Sequence, residues 1–240
     1  MTALRALLFQ IAFYVWTVAM NLAFLPALAG SRLWVVYGQR QWARGAIALL
    51  RALAGIRLEV RGLEHRPKGA AIVASKHQSA FDTFVYHVLL DDPALVMKRE
   101  LVWIPVYGWY CLKTRMIIVD RKAGAAALRR MIADARAAVA LNRPIVIFPE
   151  GTRTAPGERR AYQPGIGALY GQLGLPVVPV ALNTGLRWPR RRFLKFPGTM
   201  VVEFLPPIPP GLERKSFVAR LESVIEGATA RLVAEGRGNP

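Results

Sequence analysis

Ala6 to Ala29 runs for 24 residues without a charged side chain. At about 1.5 Å of rise per residue, a helix of that length reaches across the hydrocarbon core of a bilayer. Three readings fit. Ala27-Leu28-Ala29 resembles the small-residue cleavage site of a secretory signal, but the apolar run exceeds the usual 7 to 15 residues or so and only Arg5 precedes it. As a single span, it has Arg5 on one side and Arg32, Arg40, Arg44, Arg51 and Arg57 on the other, which puts the following chain in the cytoplasm. As half of a helical pair it lies in one leaflet. The next segment, Ser31 to Ala54, favours the pair: Trp34, Val35, Tyr37, Trp42, Ile47, Leu49 and Leu50 alternate with arginines, an interfacial pattern. The expectation is a retained anchor over residues 1–55, monotopic ahead of spanning.

Composition agrees. Hydrophobic residues make up 53% of the chain and the mean hydropathy is +0.26, so part of it belongs in or on a membrane. The 33 basic and 15 acidic residues leave a net charge of +18, which favours phospholipid headgroups, acidic substrates or nucleic acid as partners. A lone cysteine, Cys111, excludes an internal disulfide and a cysteine metal cluster, and its apolar surroundings read as packing. The chain has no His-Glu-x-x-His, so no metal site is expected.

From Gly55 onward short apolar strands alternate with helices, which predicts an α/β domain over residues 56–240. Strands are expected at Arg57–Arg61, Ala70–Ala74, Ala94–Met97, Met116–Val119, Ile145–Phe148, Val177–Leu182 and Met200–Leu205. Helices are expected at Ala80–Leu90, Ala123–Ala140, Gly165–Leu173 and Ser216–Glu235.

Four clusters in this domain carry chemistry. The first is SKHQSAFDTF, Ser75 to Phe84, where an imidazole follows a strand and a carboxylate follows five residues later. His77 with Asp82 is a candidate general base with its orienting partner. Residues five apart diverge by roughly 140° on a straight helix, so the two meet only if the chain turns at Gln78 and Ser79. The bland alternative is that Ser79-Ala80-Phe81-Asp82 is a capping box and Asp82 only a cap.

The second cluster is Lys98 to Arg121. Lys98, Arg115 and Arg121 flank strand candidates and either bind a phosphate or are solvated charges. Leu101, Trp103, Pro105 and Gly108 suit the wall of an acyl groove, or core. In the third, IVIFPEGTRT, Pro149 ends a strand and Gly151 permits a tight turn. Arg153 then stands on a fixed loop where its fork can grip a phosphate, and Glu150 holds the loop or pairs with a basic neighbour. The fourth is Val177 to Leu182, where Pro179 inside a strand implies an edge or a bulge and is a candidate for a pocket wall.

In this order the four clusters resemble the lysophospholipid acyltransferase family, whose type members are 1-acylglycerol-3-phosphate acyltransferases. His77 and Asp82 match its His-x4-Asp motif. Lys98 to Pro105, Gly108 and Arg121 match the second motif, Phe148-Pro149-Glu150-Gly151-Thr152-Arg153 the third, and Pro179 the fourth. The resemblance spans roughly Gly55 to Asn183; Lys76 departs from it, many members having asparagine there. It implies a mixed central sheet flanked by helices, with an N-terminal membrane-binding helical pair. It further implies transfer of a fatty acyl group from acyl-CoA or acyl carrier protein to the sn-2 hydroxyl of lysophosphatidic acid. His77 and Asp82 would be catalytic; Lys98, Arg121, Glu150, Gly151, Thr152 and Arg153 would form the phosphate site; Leu101, Trp103, Pro105, Gly108 and Pro179 would line an acyl groove. No cofactor beyond the acyl donor is implied, and no Gly-x-Ser-x-Gly elbow calls for an acyl-enzyme. The location that follows is the inner membrane, with the catalytic domain on its cytoplasmic face and phospholipids as partners.

Two rivals stand beside this reading. The same base could serve another lysolipid, such as lyso-ornithine lipid. The segment RWPRRRFLKF, Arg187 to Phe196, mixes five cations with Trp188, Phe193 and Phe196, which suits an anionic lipid surface or single-stranded nucleic acid. Nucleic acid is not the expected partner. His65 reads as exposed and His87 as packed or surface.

Overall fold

The computed structural model describes residues 2–238. Two helices open the chain, α1 (Thr2–Ala23) and α2 (Arg32–Leu49). After Gly55, in a left-handed conformation, come β1 (Ile56–Arg61), β2 (Ile72–Ser75), α3 (Asp82–Leu89), β3 (Ala94–Lys98) and α4 (Tyr107–Lys113). Then follow β4 (Ile117–Val119), α5 (Gly124–Ala140), β5 (Ile145–Ile147), α6 (Pro164–Leu173), β6 (Val177–Leu182), β7 (Gly198–Phe204) and α7 (Arg214–Gly238). All the expected strands form, within a few residues of their predicted ends. The short α4 was not expected, because Pro105 and Gly108 read as breakers.

The strands make one mixed sheet in the order β1-β7-β6-β2-β5-β3-β4. Only β6 and β7 run antiparallel. From β6 to β4 the strands are mutually parallel, so their C-terminal ends lie along one edge of the sheet, where α/β proteins gather ligands. Successive side chains point to opposite faces. Val73, Val146 and Val178 meet α1, α2 and α3 through Phe9, Ala43, Ala46, Leu50, Phe84 and Val85. Ile72, Ala74, Ile145 and Ile147 meet α5, α6 and α7 through Met131, Ala135, Leu169, Phe217 and Leu221. Burial on both faces explains why these strands read as continuous apolar runs.

Pro179 is not on an edge. Strand β6 lies between β7 and β2. Val180 faces Phe204 whereas Val177 faces Ile208, so one extra residue stands opposite Pro179. The bulge falls where proline has no N–H to give.

The opening helices share the core of the sheet. Helix α1 is fastened near its start by Arg5 Nε to the Leu53 carbonyl (3.1 Å) and near its end by the Tyr110 hydroxyl to the Asn21 carbonyl (2.6 Å). Its inner stripe, Ala6 and Phe9, is buried, while Leu4, Leu8, Ile11, Val15, Val18 and Leu22 on the outer stripe are 47–63% exposed. That spacing of three or four residues is one face of a helix. Helix α1 is the one described helix long and apolar enough to cross a membrane, yet it lies along the domain. Its outer face and the exposed Leu33, Trp34, Trp103, Ile104, Trp109 and Leu112 give the protein an apolar surface suited to membrane association.

The stretch from Leu101 to Trp109 departs from its sequence reading. Residues Arg99–Trp103 form a 3-10 helix, the Tyr107 N–H bonds the Pro105 carbonyl at 2.7 Å across Val106 at φ 64°, and α4 begins. Gly108 is buried inside α4, where a Cβ would fall 1.9 Å from the Val102 carbonyl oxygen. It is a contact glycine, not a breaker. Gly108→Ala should lower stability by about 1–3 kcal/mol, the usual cost of overpacking. Thermal unfolding in detergent checks this, and an unshifted transition would show that the 3-10 segment yields freely.

Candidate active site

The site is built at the C-terminal ends of β2, β5 and β6. Strand β2 ends at Ser75, and the chain then turns so that His77 and Asp82 meet. His77 Nδ1 lies 3.1 Å from Asp82 Oδ2. The same oxygen accepts the N–H groups of Gln78 and Ser79, both at 2.7 Å, and Oδ1 accepts the Thr184 hydroxyl at 2.6 Å. Ser79 Oγ in turn accepts the Phe81 N–H at 3.2 Å. One carboxylate thus holds both the turn and the ring, but the expected capping box does not form: α3 starts at Asp82 with Phe81 as its N-cap and no side-chain cap. With Nδ1 donating to Asp82, Nε2 is left as the basic nitrogen. The ring stacks on Phe148, with centroids 4.2 Å apart, and the side chain is 11% exposed. It is held firmly but remains reachable.

The backbone of His77 is bound to the third cluster. Its N–H donates to Glu150 Oε2 (2.9 Å) and its carbonyl accepts from the Thr154 N–H (2.8 Å). Gly151 takes φ 68°, which makes the tight turn that places Arg153. The Arg121 guanidinium lies over this turn, with Nη2 3.0 Å from where a Gly151 Cβ would stand. Arg153 is half-buried. Burial and Arg190 bear against its charge while Asp82 favours it. Thr152 is on the same loop, and Lys98 stands at the end of β3 on the same edge of the sheet. Arg121 lies over the Gly151 turn and Arg153 within reach of the Asp82 charge, so two arginines gather beside the His77 turn, while Lys98 is exposed at the end of β3, two strands away.

Several sequence assignments do not hold. Glu150 is no phosphate ligand: it is 2% exposed and its oxygens are taken by Lys76, Thr154 and the His77 N–H. A buried anion would also repel a phosphate. Arg115 precedes β4, so it stands at the opposite end of the sheet, where its carbonyl accepts from Arg143. The five groove candidates scatter: Trp103 is 74% exposed, Pro105 is exposed, Leu101 is half-exposed, and Gly108 and Pro179 are packed inside elements. A cavity of about 100 Å³ lies instead between the opening helices and α4, lined by Met20, Phe24, Val35, Trp42, His87 and Tyr107 among others. The segment RWPRRRFLKF is not a continuous outer surface. Arg187 and Lys195 are buried, and Trp188 packs on Phe9, Phe13 and Phe84. His87, beside Arg40, is pushed down to about 4 by burial and that arginine, so it stays neutral. Among the described residues no cluster of His, Cys, Asp and Glu could hold a metal.

What the sequence did not reveal is the buried charge group behind the histidine. Lys76 Nζ lies 2.7 Å from Glu150 Oε1 and 2.8 and 2.9 Å from the two oxygens of Glu226 on α7. Tyr162 adds its hydroxyl to Glu226 at 3.2 Å. Burial pushes the Glu150 carboxyl up, and Lys76 opposes the shift. Thr184 also escaped notice, though it follows β6 on the ligand edge and a strand-end search would have found it. Lys76→Met should strand two carboxylates and cost about 3–5 kcal/mol. Adding Glu226→Gln should recover part of the loss. Denaturant unfolding of both variants checks this; equal stability of Lys76→Met and the parent would show that the carboxylates take up protons at no cost.

Comparison with known proteins agrees with this geometry. A family model described as Acyltransferase matches residues 57–183, nearly the span of the resemblance seen in the sequence. A 1-acyl-sn-glycerol-3-phosphate acyltransferase of Pseudomonas aeruginosa is 35% identical over 98% of this chain and 90% of its own length. The 1-acyl-sn-glycerol-3-phosphate acyltransferase alpha of Mus musculus is 32% identical over 65% of this chain and 56% of its own. The crystal structure of the 1-acyl-sn-glycerophosphate acyltransferase PlsC from Thermotoga maritima superposes with a TM-score of 0.81. That match covers 97% of this chain and 98% of the other at 23% identity, and it shows the shared fold. With its mixed sheet, its His-x4-Asp turn and its Phe-Pro-Glu-Gly-Thr-Arg loop, the chain belongs to the Acyltransferase family.

Proposed function

We propose that this protein moves a fatty acyl group from acyl-CoA or acyl carrier protein to the sn-2 hydroxyl of 1-acylglycerol 3-phosphate, giving phosphatidic acid. The observation that carries the reading is the pair of hydrogen bonds between the His77 backbone and the arginine loop, one donated by the His77 N–H and one accepted by its carbonyl, which ties a base and a cation group together. The names of the relatives at 35% and 32% identity support the acceptor.

The steps follow from the residues. His77 Nε2 takes the proton of the acceptor hydroxyl. Asp82 holds the tautomer and stabilises the imidazolium. The acceptor oxygen attacks the thioester carbonyl to form a tetrahedral intermediate. Its collapse breaks the carbon–sulfur bond, and the imidazolium returns its proton to the leaving thiolate. Arg153, Arg121 and Lys98 hold the acceptor phosphate; two guanidinium forks and an ammonium suit it, because charged pairs with phosphate are the strong hydrogen bonds. A phosphate-free acceptor such as lyso-ornithine lipid would leave these cations without a partner.

The apolar outer stripe of α1, with the exposed rings of α2 and α4, supports a monotopic seat in one leaflet. The arginines that follow α1 favour the cytoplasmic face of the inner membrane, and the net charge of +18 favours anionic phospholipid there.

The deciding experiment is acyl transfer by purified protein in detergent with a panel of lysolipids. His77→Ala should lose at least about a hundredfold in turnover, the scale of a general base; near-parental turnover would remove His77 from the chemistry. Arg153→Ala should mainly raise the acceptor KM, and an unchanged acceptor KM would remove it from the phosphate site.

A further inference from the structure

Arg190 lies outside the four clusters that carry the family resemblance, in the cation-rich segment after β6, yet the fold delivers it to the phosphate side of the site. We propose that Arg190 is a specificity-determining residue that works with Arg153 to select a doubly charged phosphate monoester over a singly charged phosphodiester. The inference rests on the acceptor reading above and narrows it to a headgroup class.

The path of the chain carries the argument. Leaving β6, it gives the Thr184 hydroxyl to Asp82 and the Gly185 N–H to Gln78 Oε1 (3.1 Å). Trp188 is then clamped among Phe9, Phe13 and Phe84, at centroid distances of 5.4, 5.8 and 6.2 Å. Two residues later Arg190 Nη1 donates to the Arg153 carbonyl at 2.8 Å. Arg190 thus stands against the arginine loop by three fixed points, not by chance of a surface rotamer. Two other cations of the segment are spent elsewhere: Arg187 holds the Pro197 and Gly236 carbonyls, and Lys195 holds those of Arg192 and Phe193; Arg191 and Arg192 are exposed.

The charge around Arg190 is unbalanced. Its Nε is buried and meets no acceptor. Arg153 is half-buried, and neither it nor Arg190 forms an ion pair among the described residues. Arg190 and Arg191 both act against the charge of Arg153, and Asp82 is the carboxylate acting for it. Asp82 is already committed to His77, two amides and Thr184. Two half-buried guanidinium groups whose charges oppose each other, and which form no ion pair among the described residues, call for an anion of more than one charge. A phosphate monoester carries about −1.5 to −2 near neutral pH and presents three free oxygens. A phosphodiester carries one charge and presents two, so the second arginine gains less from it.

The test compares two acceptors with the same acyl chain in detergent micelles, lysophosphatidic acid and lysophosphatidylglycerol. Wild-type protein should prefer the monoester. In R190Q its KM should rise about tenfold, the scale of one lost charge-assisted hydrogen bond. The diester KM should move much less, so that the preference collapses. R190K keeps a charge and a donor for the Arg153 carbonyl but loses the fork, and should give an intermediate preference. Equal loss on both acceptors in R190Q, or no change on either, overturns the inference. If R190Q does not fold, R190K decides: a preference equal to wild type overturns it. Wild-type protein that does not acylate lysophosphatidic acid would instead overturn the acceptor reading itself.

Discussion

The Asp82 carboxylate is the point on which the site is assembled. It takes hydrogen bonds from the His77 ring, the Gln78 and Ser79 amides and the Thr184 hydroxyl. A buried carboxylate is tolerable only when its lone pairs are satisfied, and here they are. The four donors come from the end of β2, from the turn and from the segment after β6. Satisfying one anion therefore fixes the turn, the start of α3, the imidazole and the neighbouring loop together.

Behind the histidine a second buried group does for the backbone what Asp82 does for the ring. Lys76 sits between Glu150 and Glu226, and Glu150 reaches past it to the His77 amide. These residues come from the His-x4-Asp turn, the arginine loop and α7. Lys76 and Glu226 are next to fully buried, so the attraction between them is little screened by solvent. The lysine that departs from the family's asparagine is thus matched by an acidic partner on a helix outside the motif region.

The anchor helices are not an appendage hung on this machinery. Phe9 and Phe13 of α1 hold Trp188, and Trp188 lies between Thr184 and Arg190. The helix that offers its outer face to lipid thereby packs with its inner face on the segment that bears on Asp82 and Arg153. Apolar packing of this kind transmits position because interiors are dense and side chains have few alternatives.

Much of this was legible in the sequence. Apolar runs of the right length pointed to β2, β5 and β6, since burial on both faces leaves no other composition open to them, and the alternating IRLEVR pointed to β1. The His-x4-Asp spacing allowed the contact of His77 with Asp82 on one condition, a turn at Gln78 and Ser79, and the chain makes that turn. Gly151 and Pro149 foretold the loop of Arg153. By contrast Glu150 was misplaced at the phosphate, and Arg115 at the ligand edge, since a residue type does not say which end of a strand or which side of a loop it occupies. Lys76–Glu226 and Arg153–Arg190 join residues 150 and 37 positions apart, and no local spacing encodes such pairs. The sequence alone determined the elements, the His-x4-Asp spacing and the charge-free run of α1, because these depend on composition and on neighbours along the chain. Only the tertiary structure decided which charges were buried against each other and which were left facing a ligand, because that balance depends on what the fold brings within a few ångströms.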